Sequence, residues 1–385
     1  MSQATVGGRG ARRWAAGHPW IYRSDVVAEP EPRAPGVVTV RDERGAFLGR
    51  ALYSPASEIR LRLLTRRDEE IDVSWWAARI REAAERRRGI RATAFRVVHA
   101  EGDGLPSLVI DRYGEHVSVQ LLSAGLESRR ADVLAAIGEA LDPAGVVLRN
   151  DAPVRRHEDL PLTVEVAAGT VPDPLEVEEH GVRYVVDLRR GQKTGGFLDQ
   201  RENRSLAGAL ARGRALDVFT YEGGFALHLA RGAEAVLAVD QSEEALGRAA
   251  ANAGLNGLKN VEWVVANAFD LLREMEREGE RFEVIILDPP AFAKRRDSVP
   301  RALAGYKEVN LRAMRLLRPD GHLLTFSCSY HVGRGVFLEM IADAAADSGR
   351  RIVLERLLAA AADHPEIVTI PETGYLKGAL LRAQA

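Results

Sequence analysis

The sequence predicts a multi-domain α/β protein: a small β-barrel at the front, a central α+β domain, and a doubly wound α/β domain at the back. Three observations predict it. The chain has 385 residues, more than one ordinary core accommodates. Residues 1–67 read as short strands divided by turns. From about Val182 onward, short apolar runs alternate with helical stretches, the pattern of a parallel sheet covered on both faces.

Hydrophobic residues make up 46% and charged residues 28%, the range of a soluble globular protein. The first twenty residues carry arginines and no apolar run of signal-peptide length. No stretch reaches the roughly 20 apolar residues that cross a bilayer. The expectation is a cytoplasmic protein with no membrane partner. Cys328 is the single cysteine, so neither an internal disulfide nor a cysteine-rich zinc site can form, and no metal site is expected.

In the front segment, VVTVRDERGAFLGRALYS gives two extended runs around a turn at Asp42–Gly45, and EIRLRLLT alternates charged and apolar residues at period two. Residues 1–67 hold twelve arginines against six acids, a charge of +6 on a chain whose net charge is −2. A basic module on a neutral chain suits a polyanion, because clustered cations release counterions from phosphate backbones; an arginine-rich compositional habit is the plain alternative. A helix is expected from Val73 to Arg88, with Trp75, Trp76, Ile80 and Ala84 able to share one packing face. Strands at Phe95–His99, Ser107–Asp111, Val117–Leu122 and Gly145–Leu148, with a helix at Ser128–Ala140, complete the central domain. The proline-, glycine- and acid-rich stretch AAGTVPDPLEVEEHG (167–181) reads as a linker. The domains are accordingly placed at 1–68, 69–175 and 176–385.

In the last domain the strands are RALDVF, AVLAVD, VEWVVA, FEVIILD and HLLTFS. Sheets of this kind bind ligands beyond the carboxyl ends of their strands, so the residues after each strand are informative. After the first come Asp217 and the run Phe219-Thr220-Tyr221-Glu222-Gly223-Gly224, whose glycines let backbone approach a ligand at a helix start. The run is not GxGxxG, which speaks against a dinucleotide. The second strand ends in Asp240, a carboxylate able to accept from both ribose hydroxyls or to cap a helix. The third ends in Asn267-Ala268, where the amide can bond an adenine edge or cap a helix. The fourth ends in Asp288-Pro289-Pro290-Ala-Phe292-Ala-Lys294. Two prolines fix a rigid loop there, and the aspartate can hold a planar, amine-bearing base.

The fifth strand ends at Cys328. Strands four and five should be neighbours, so Asp288 and Cys328 would open into one cleft. A thiolate adding to C6 of cytosine makes C5 enamine-like and able to attack a sulfonium methyl; a free cysteine is also often a small buried hydrophobe. Position alone leaves both readings open.

Ordered markers run along nearly the whole chain: GHPWIY (17–22), LYSPASEIRLRLL (52–64), AEGDGLPSLVIDRYG (100–114), GQKTGGFLDQRENR (191–204), DVFTYEGGFALH, VDQSEEAL, LDPPAFAK, GYKEVN (305–310), FSCSYH and ADHPEIVTIPETGYLKG (362–378). With them the chain resembles the bacterial 23S ribosomal RNA cytosine-C5 methyltransferase family of the RlmI type. The resemblance implies an N-terminal PUA-like RNA-binding barrel, a central α+β domain and a C-terminal Rossmann-like class I methyltransferase domain. It implies S-adenosylmethionine as donor, 23S-type ribosomal RNA as partner, and leaves a homodimer open. Phe219, Thr220, Tyr221, Gly223, Gly224, Asp240, Asn267, Ala268, Asp288 and Gln200 would hold the donor. Lys193, Thr194, Arg201, Pro289, Pro290, Phe292 and Lys294 would face the substrate, and Cys328 and Asp288 would be catalytic.

Three departures stand out. Glu222 occupies a position where the family often has Thr or Ser, Asn267 one where Asp is common, and Tyr330-His331 follow the cysteine in place of smaller residues. Two other functions fit parts of the pattern. Methylation of an exocyclic base amine would use the aspartate–proline loop and leave Cys328 dispensable. A non-catalytic RNA-binding or ribosome-assembly factor would use only the front module.

Overall fold

The computed structural model describes residues 2–293 and 295–384. The chain forms two compact units: Met1–Glu179, Val185–Leu198 and Ala362–Thr373 in the first, and His180–Tyr184, Asp199–Ala361 and Gly374–Ala385 in the second.

The first unit opens with strands β1 (Gln3–Val6), β2 (Trp20–Tyr22), β3 (Val26–Ala28), β4 (Gly36–Asp42), β5 (Phe47–Tyr53) and β6 (Ile59–Thr65). They form one six-stranded sheet in the order β2-β6-β5-β4-β1-β3. The expected hairpin joins β4 to β5: Asp42 accepts from the backbone N–H of Arg44 at 2.9 Å and of Ala46 at 2.8 Å, an Asx-type turn. Helix α1 (Gly8–Ala15) was not expected. Its sequence, GRGARRWA, has no apolar period; tertiary packing makes it, with Trp14 buried among Val6, Ile21, Val40 and Leu61. Arg60 and Arg62, the charged residues of the period-two strand β6, are both buried. Arg62 donates to Glu158 at 2.7 Å and Arg60 pairs with Glu29 at 3.1 Å, the partnering that buried cations require.

Helix α2 (Val73–Glu85) is capped by Asp72, which accepts from the Trp75 N–H at 2.8 Å. Strands β7 (Ala94–His99), β8 (Leu108–Tyr113), β9 (His116–Leu121), β10 (Gly145–Asn150) and β11 (Thr163–Gly169) form a five-stranded sheet ordered β11-β10-β9-β8-β7. Helices α3 (Ala124–Glu127) and α4 (Arg130–Leu141) lie between β9 and β10 in the chain. Trp75, Trp76 and Ile80 share one core with Leu52 and Leu64 of the barrel and with Val97, Ile110 and Val119 of this sheet. Barrel and central sheet therefore sit in one unit. The stretch expected as a linker contains the end of β11 and all of β12 (Leu175–Glu179). Its alternation of Leu175 and Val177 with glutamates carries the strand despite the flanking prolines.

Strand β13 (Val182–Val186) precedes helix α5 (Arg201–Leu210). The second unit then alternates: β14 (Arg214–Val218), α6 (Gly224–Ala230), β15 (Ala235–Asp240), α7 (Glu243–Leu255), β16 (Val261–Val265), α8 (Ala268–Glu278), β17 (Phe282–Leu287), α9 (Val299–Leu316), β18 (Leu317–Ser327), α10 (Arg334–Ser348), β19 (Ile352–Leu358) and β20 (Lys377–Ala383). The seven-stranded sheet has the order β16-β15-β14-β17-β18-β20-β19. All five expected strands are present and mutually parallel, and β17 and β18 are neighbours. The sheet is mixed, however, since β20 runs antiparallel to both β18 and β19. Strand order reverses at β14, between β15 and β17, which places the ligand crevice at the ends of these strands.

Candidate active site

The loop after β14 is built around Asp217. One carboxylate oxygen accepts from the Thr220 hydroxyl at 2.5 Å and from the Ala226 N–H at 2.9 Å. Phe219 and Tyr221 take φ of +68° and +52°, and Gly223 takes +82°. Left-handed backbone at side-chain-bearing residues is costly and concentrates where geometry serves function. Gly223 leaves no room for a side chain: a Cβ there would stand 3.0 Å from the Trp263 ring and 3.2 Å from Ala249. Glycine is required at this turn by its left-handed φ and by the close packing of Trp263 and Ala249.

Burial pushes the Asp217 carboxyl up to about 7, and the charges of Asp288 and Asp240 act in the same direction. Carboxylates from three strand ends thus converge electrostatically. The folded state holds a proton here that the unfolded chain releases near 3.8. Asp217 therefore stabilises the fold below about pH 4 and loses that contribution as pH climbs to about 7. Asp217→Asn removes the titration. Between pH 5 and 7.5, the melting temperature of the wild type is expected to fall relative to the variant. Parallel curves over that interval would refute the raised carboxyl.

Asp240 sits half-buried at the end of β15. It accepts from the Tyr221 N–H at 2.9 Å and the Ser242 N–H at 3.0 Å, so it pins the first loop while keeping further lone pairs for a ligand. Asn267 caps α8, accepting from the Phe269 N–H at 2.9 Å, with Ala268 buried behind it. The capping role is thus filled, and the amide N–H₂ of this exposed side chain is the group it can still present to a ligand. Glu222 turns onto Arg248, whose Nε donates to it at 2.6 Å. The added acid is therefore neutralised on the protein.

Strand ends β17 and β18 are tied together. The Ala293 N–H donates to the Ser329 hydroxyl at 3.1 Å, and that hydroxyl shares a 2.9 Å hydrogen bond with Tyr306 of α9. Asp288 and Cys328, each half-buried, stand on the two loops this link joins. Pro289 is buried and Pro290 exposed. Phe292 packs on Tyr306, Phe269 and Phe219 with ring centroids 4.6, 6.0 and 6.2 Å apart. One aromatic ring thereby draws together the ends of β14, β16 and β17. Lys294 lies outside the described residues.

The GQKTGGFLDQR segment divides between the units. Thr194, in the first, is buried; its hydroxyl donates to Asp111 and lies 3.3 Å from the Tyr113 hydroxyl. Lys193, also there, has its ammonium 4.3 Å from the Phe197 ring centroid. Gln200 and Arg201 belong to the second unit and are both buried. Gln200 accepts from Asn203 at 2.6 Å. Its own Nε2 has no hydrogen-bond partner among the described residues, a buried donor of the kind a ligand satisfies. His18 accepts from the Trp20 N–H and pairs with Glu372 at 3.2 Å.

Tyr306, Ser329 and Lys377 are not singled out by the sequence, and Asp217 is named there only as the start of the glycine run. Asp217 and Ser329 stand inside recognised markers, and Tyr306 and Lys377 inside GYKEVN and GYLKG. The signal was present, but nothing local distinguishes a linker between loops from an ordinary core polar residue.

Comparison with known proteins places the chain in a family. Residues 5–66 match a PUA-like domain, and residues 150–382 match an S-adenosylmethionine-dependent methyltransferase family. The protein named Ribosomal RNA large subunit methyltransferase I of Tolumonas auensis is 40% identical over 378 residues, covering 95% of each chain. Its namesake from Erwinia tasmaniensis is 40% identical over 373 residues, covering 94% of each. Among solved structures, a protein from Streptococcus mutans assigned as a SAM-dependent methyltransferase superposes with TM-score 0.83 at 21% identity, covering 99% of this chain and 100% of that one. SMU.776, assigned as a methyltransferase and complexed with SAH, gives TM-score 0.85 at 22% identity with the same coverage; at such identities the likeness shows the shared fold. With a crevice at the reversal of strand order, a glycine cradle and gathered strand-end carboxylates, the chain belongs to the S-adenosylmethionine-dependent methyltransferase family, in the group of the bacterial proteins named Ribosomal RNA large subunit methyltransferase I.

Proposed function

We propose that this chain methylates C5 of a cytosine in large-subunit ribosomal RNA through a transient bond between the Cys328 sulfur and C6 of the base. The observation that carries the reading is the link of Ala293, Ser329 and Tyr306, which fastens the Asp288 loop to the Cys328 loop at neighbouring strand tips. The names of the relatives, which specify large-subunit ribosomal RNA, and their sequence identity support the substrate class.

S-adenosylmethionine, when bound, supplies an electrophilic methyl group. Gly223 and Gly224 would give its amino-acid end a close backbone approach, Asp240 would accept from its ribose hydroxyls, and Asn267 would meet its adenine edge. Gln200 would donate its spare N–H. The target base must first leave its stack, since duplex or stacked RNA hides it. Asp288 then accepts from the exocyclic amine and holds the ring in plane. The Cys328 thiolate adds to C6, which makes C5 nucleophilic toward the methyl. Loss of the C5 proton to a base restores the double bond as the thiolate leaves.

The front barrel would position the RNA through phosphate contacts. Arg60 and Arg62 are spent in the interior, which leaves exposed residues such as Arg12, Arg33 and Arg44 for that task. The test is mass spectrometry of nuclease-digested ribosomal RNA from cells with and without this chain. Loss of one 5-methylcytidine on deletion is expected. An unchanged 5-methylcytidine content, with a methyl missing from a base amine, would overturn the assignment.

A further inference from the structure

Lys377 opens β20, and in the antiparallel ladder with β18 its register partner is Ser327. Its side chain is 4% exposed. Nζ donates to the backbone carbonyl of Ser329 at 2.7 Å and to that of Tyr375 at 2.8 Å. The lysine thus brackets Cys328: its backbone faces the residue before the sulfur, and its ammonium rests on the carbonyl of the residue after it.

Taking an ammonium out of water is expensive unless an anion or several acceptors replace the solvent. Here the acceptors are two neutral carbonyls, and among the described residues no carboxylate pairs with Lys377. The charged and titratable groups around it are few. Arg334 at the start of α10 opposes its charge, and Cys328 favours it. Tyr306 of α9 shares a 2.9 Å hydrogen bond with the hydroxyl of Ser329, the residue after the sulfur. The Tyr375 hydroxyl is turned away, donating to Asp199 at 2.7 Å. Burial lowers the Lys377 ammonium to about 8, while a negative charge on Cys328 would raise it. Such coupling is reciprocal, so the ammonium must favour the thiolate to the same degree.

We propose that Lys377 is a positioning residue that holds Cys328 as a thiolate: a buried, fixed ammonium whose missing counter-ion is the sulfur itself. The proposal rests on Cys328 being the nucleophile for its purpose, but its physics is independent of the substrate. No proton changes hands: the ammonium stays protonated while sulfur bonds to C6 and while it leaves. Lysine suits the position because its charge is a compact point that two carbonyls can aim.

Cys328 is the only thiol in the chain, so alkylation by iodoacetamide reports on it alone, in the full-length protein without RNA. The rate is followed from pH 5 to 10. In the wild type the midpoint is expected below the roughly 8.5 of a free thiol. Lys377→Met is expected to move the midpoint up by about one unit or more and slow alkylation at pH 7 about tenfold. Lys377→Gln keeps a donor for the Ser329 carbonyl but no charge, so it should match Lys377→Met; Lys377→Arg should stay near the wild type. A structural role alone would let Gln behave like the wild type. Midpoints unmoved in both uncharged variants overturn the proposal. If Lys377→Met does not fold, Lys377→Gln and the wild-type midpoint decide; a wild-type value at or above 8.5 also overturns it. Failure of the nucleophile assignment looks different: the alkylation profile shifts as expected, yet Cys328→Ala still methylates RNA.

Discussion

Cys328→Ala is expected to abolish methyl transfer to ribosomal RNA, by about 10³-fold or more in kcat, the scale seen when a covalent nucleophile is removed. Donor binding should be unchanged. The sulfur stands at the tip of β18, whereas the glycine turn and Asp240 stand at β14 and β15. Stability should fall by more than the roughly 1 kcal/mol that one half-buried sulfur is worth at the margin of the Phe225–Phe326 core, because the buried Lys377 ammonium loses the group that compensates its charge. Calorimetric titration with S-adenosylmethionine and incorporation of labelled methyl into a large-subunit RNA transcript separate the two effects. Turnover within tenfold of the wild type would remove the covalent mechanism. Methylation of an exocyclic amine at the Asp288-Pro289-Pro290 loop would then be the better account, because that chemistry uses the carboxylate and has no use for sulfur. Loss of donor binding in the variant would instead mean that Cys328 shapes the crevice.

Much of the second unit was legible because each central strand is a continuous apolar run. FEVIIL and HLLTFS are buried on both faces, and that burial is what writes an uninterrupted pattern into the sequence. β19 and β20 lacked this legibility. IVLERLL is interrupted by charge, since its outer face is largely exposed, and KGALLRA begins with a buried lysine whose burial no pattern announces. Helix α1 failed for the opposite reason. Gly10 is there for packing, lying so close to the sheet that a Cβ would come within 3.3 Å of Ile21 and Asp25. A helix held by one buried tryptophan leaves almost no periodic trace. The alternation in β6 shows only that two faces differ, and it leaves unread that Arg60 and Arg62 are covered.

The site was legible at strand ends and illegible between them. Asp240, Asp288 and Cys328 each announce themselves by following an apolar run in a fold where such positions matter. Tyr306 and Ser329 join loops separated by helix α9, and a contact of that range leaves no spacing to read. Asn267 shows how one residue admits two readings, since its capping hydrogen bond is now seen and only the rest of the amide is left for a ligand. Thr194 was grouped with the cleft on resemblance, whereas in the first unit its hydroxyl is committed to Asp111.

Gly223→Val is expected to cost about 3 kcal/mol of stability, from left-handed strain at a β-branched residue plus overpacking, and to weaken S-adenosylmethionine binding by about 100-fold or more, equivalent to ~2.7 kcal/mol. The two glycines of the turn are not equivalent. Gly223 has φ of +82°, and its absent Cβ would press on the Trp263 ring and Ala249, both fixed by packing. Gly224 opens α6 with ordinary backbone, and a Cβ there would meet Arg204 Cδ and Nη1 at 3.2 Å, the far part of a long side chain that can give way. Gly224→Ala should therefore keep donor binding within a few-fold, helped by the better helix propensity of alanine. Gly223→Ala, with a single methyl group, should fall between, losing about 1 kcal/mol and a measurable part of its affinity. Calorimetric titration and thermal melts of the three variants check the ordering. If Gly223→Val bound the donor as the wild type does, the turn after β14 would have no part in holding it. The crevice would then have to be sought elsewhere along the strand ends.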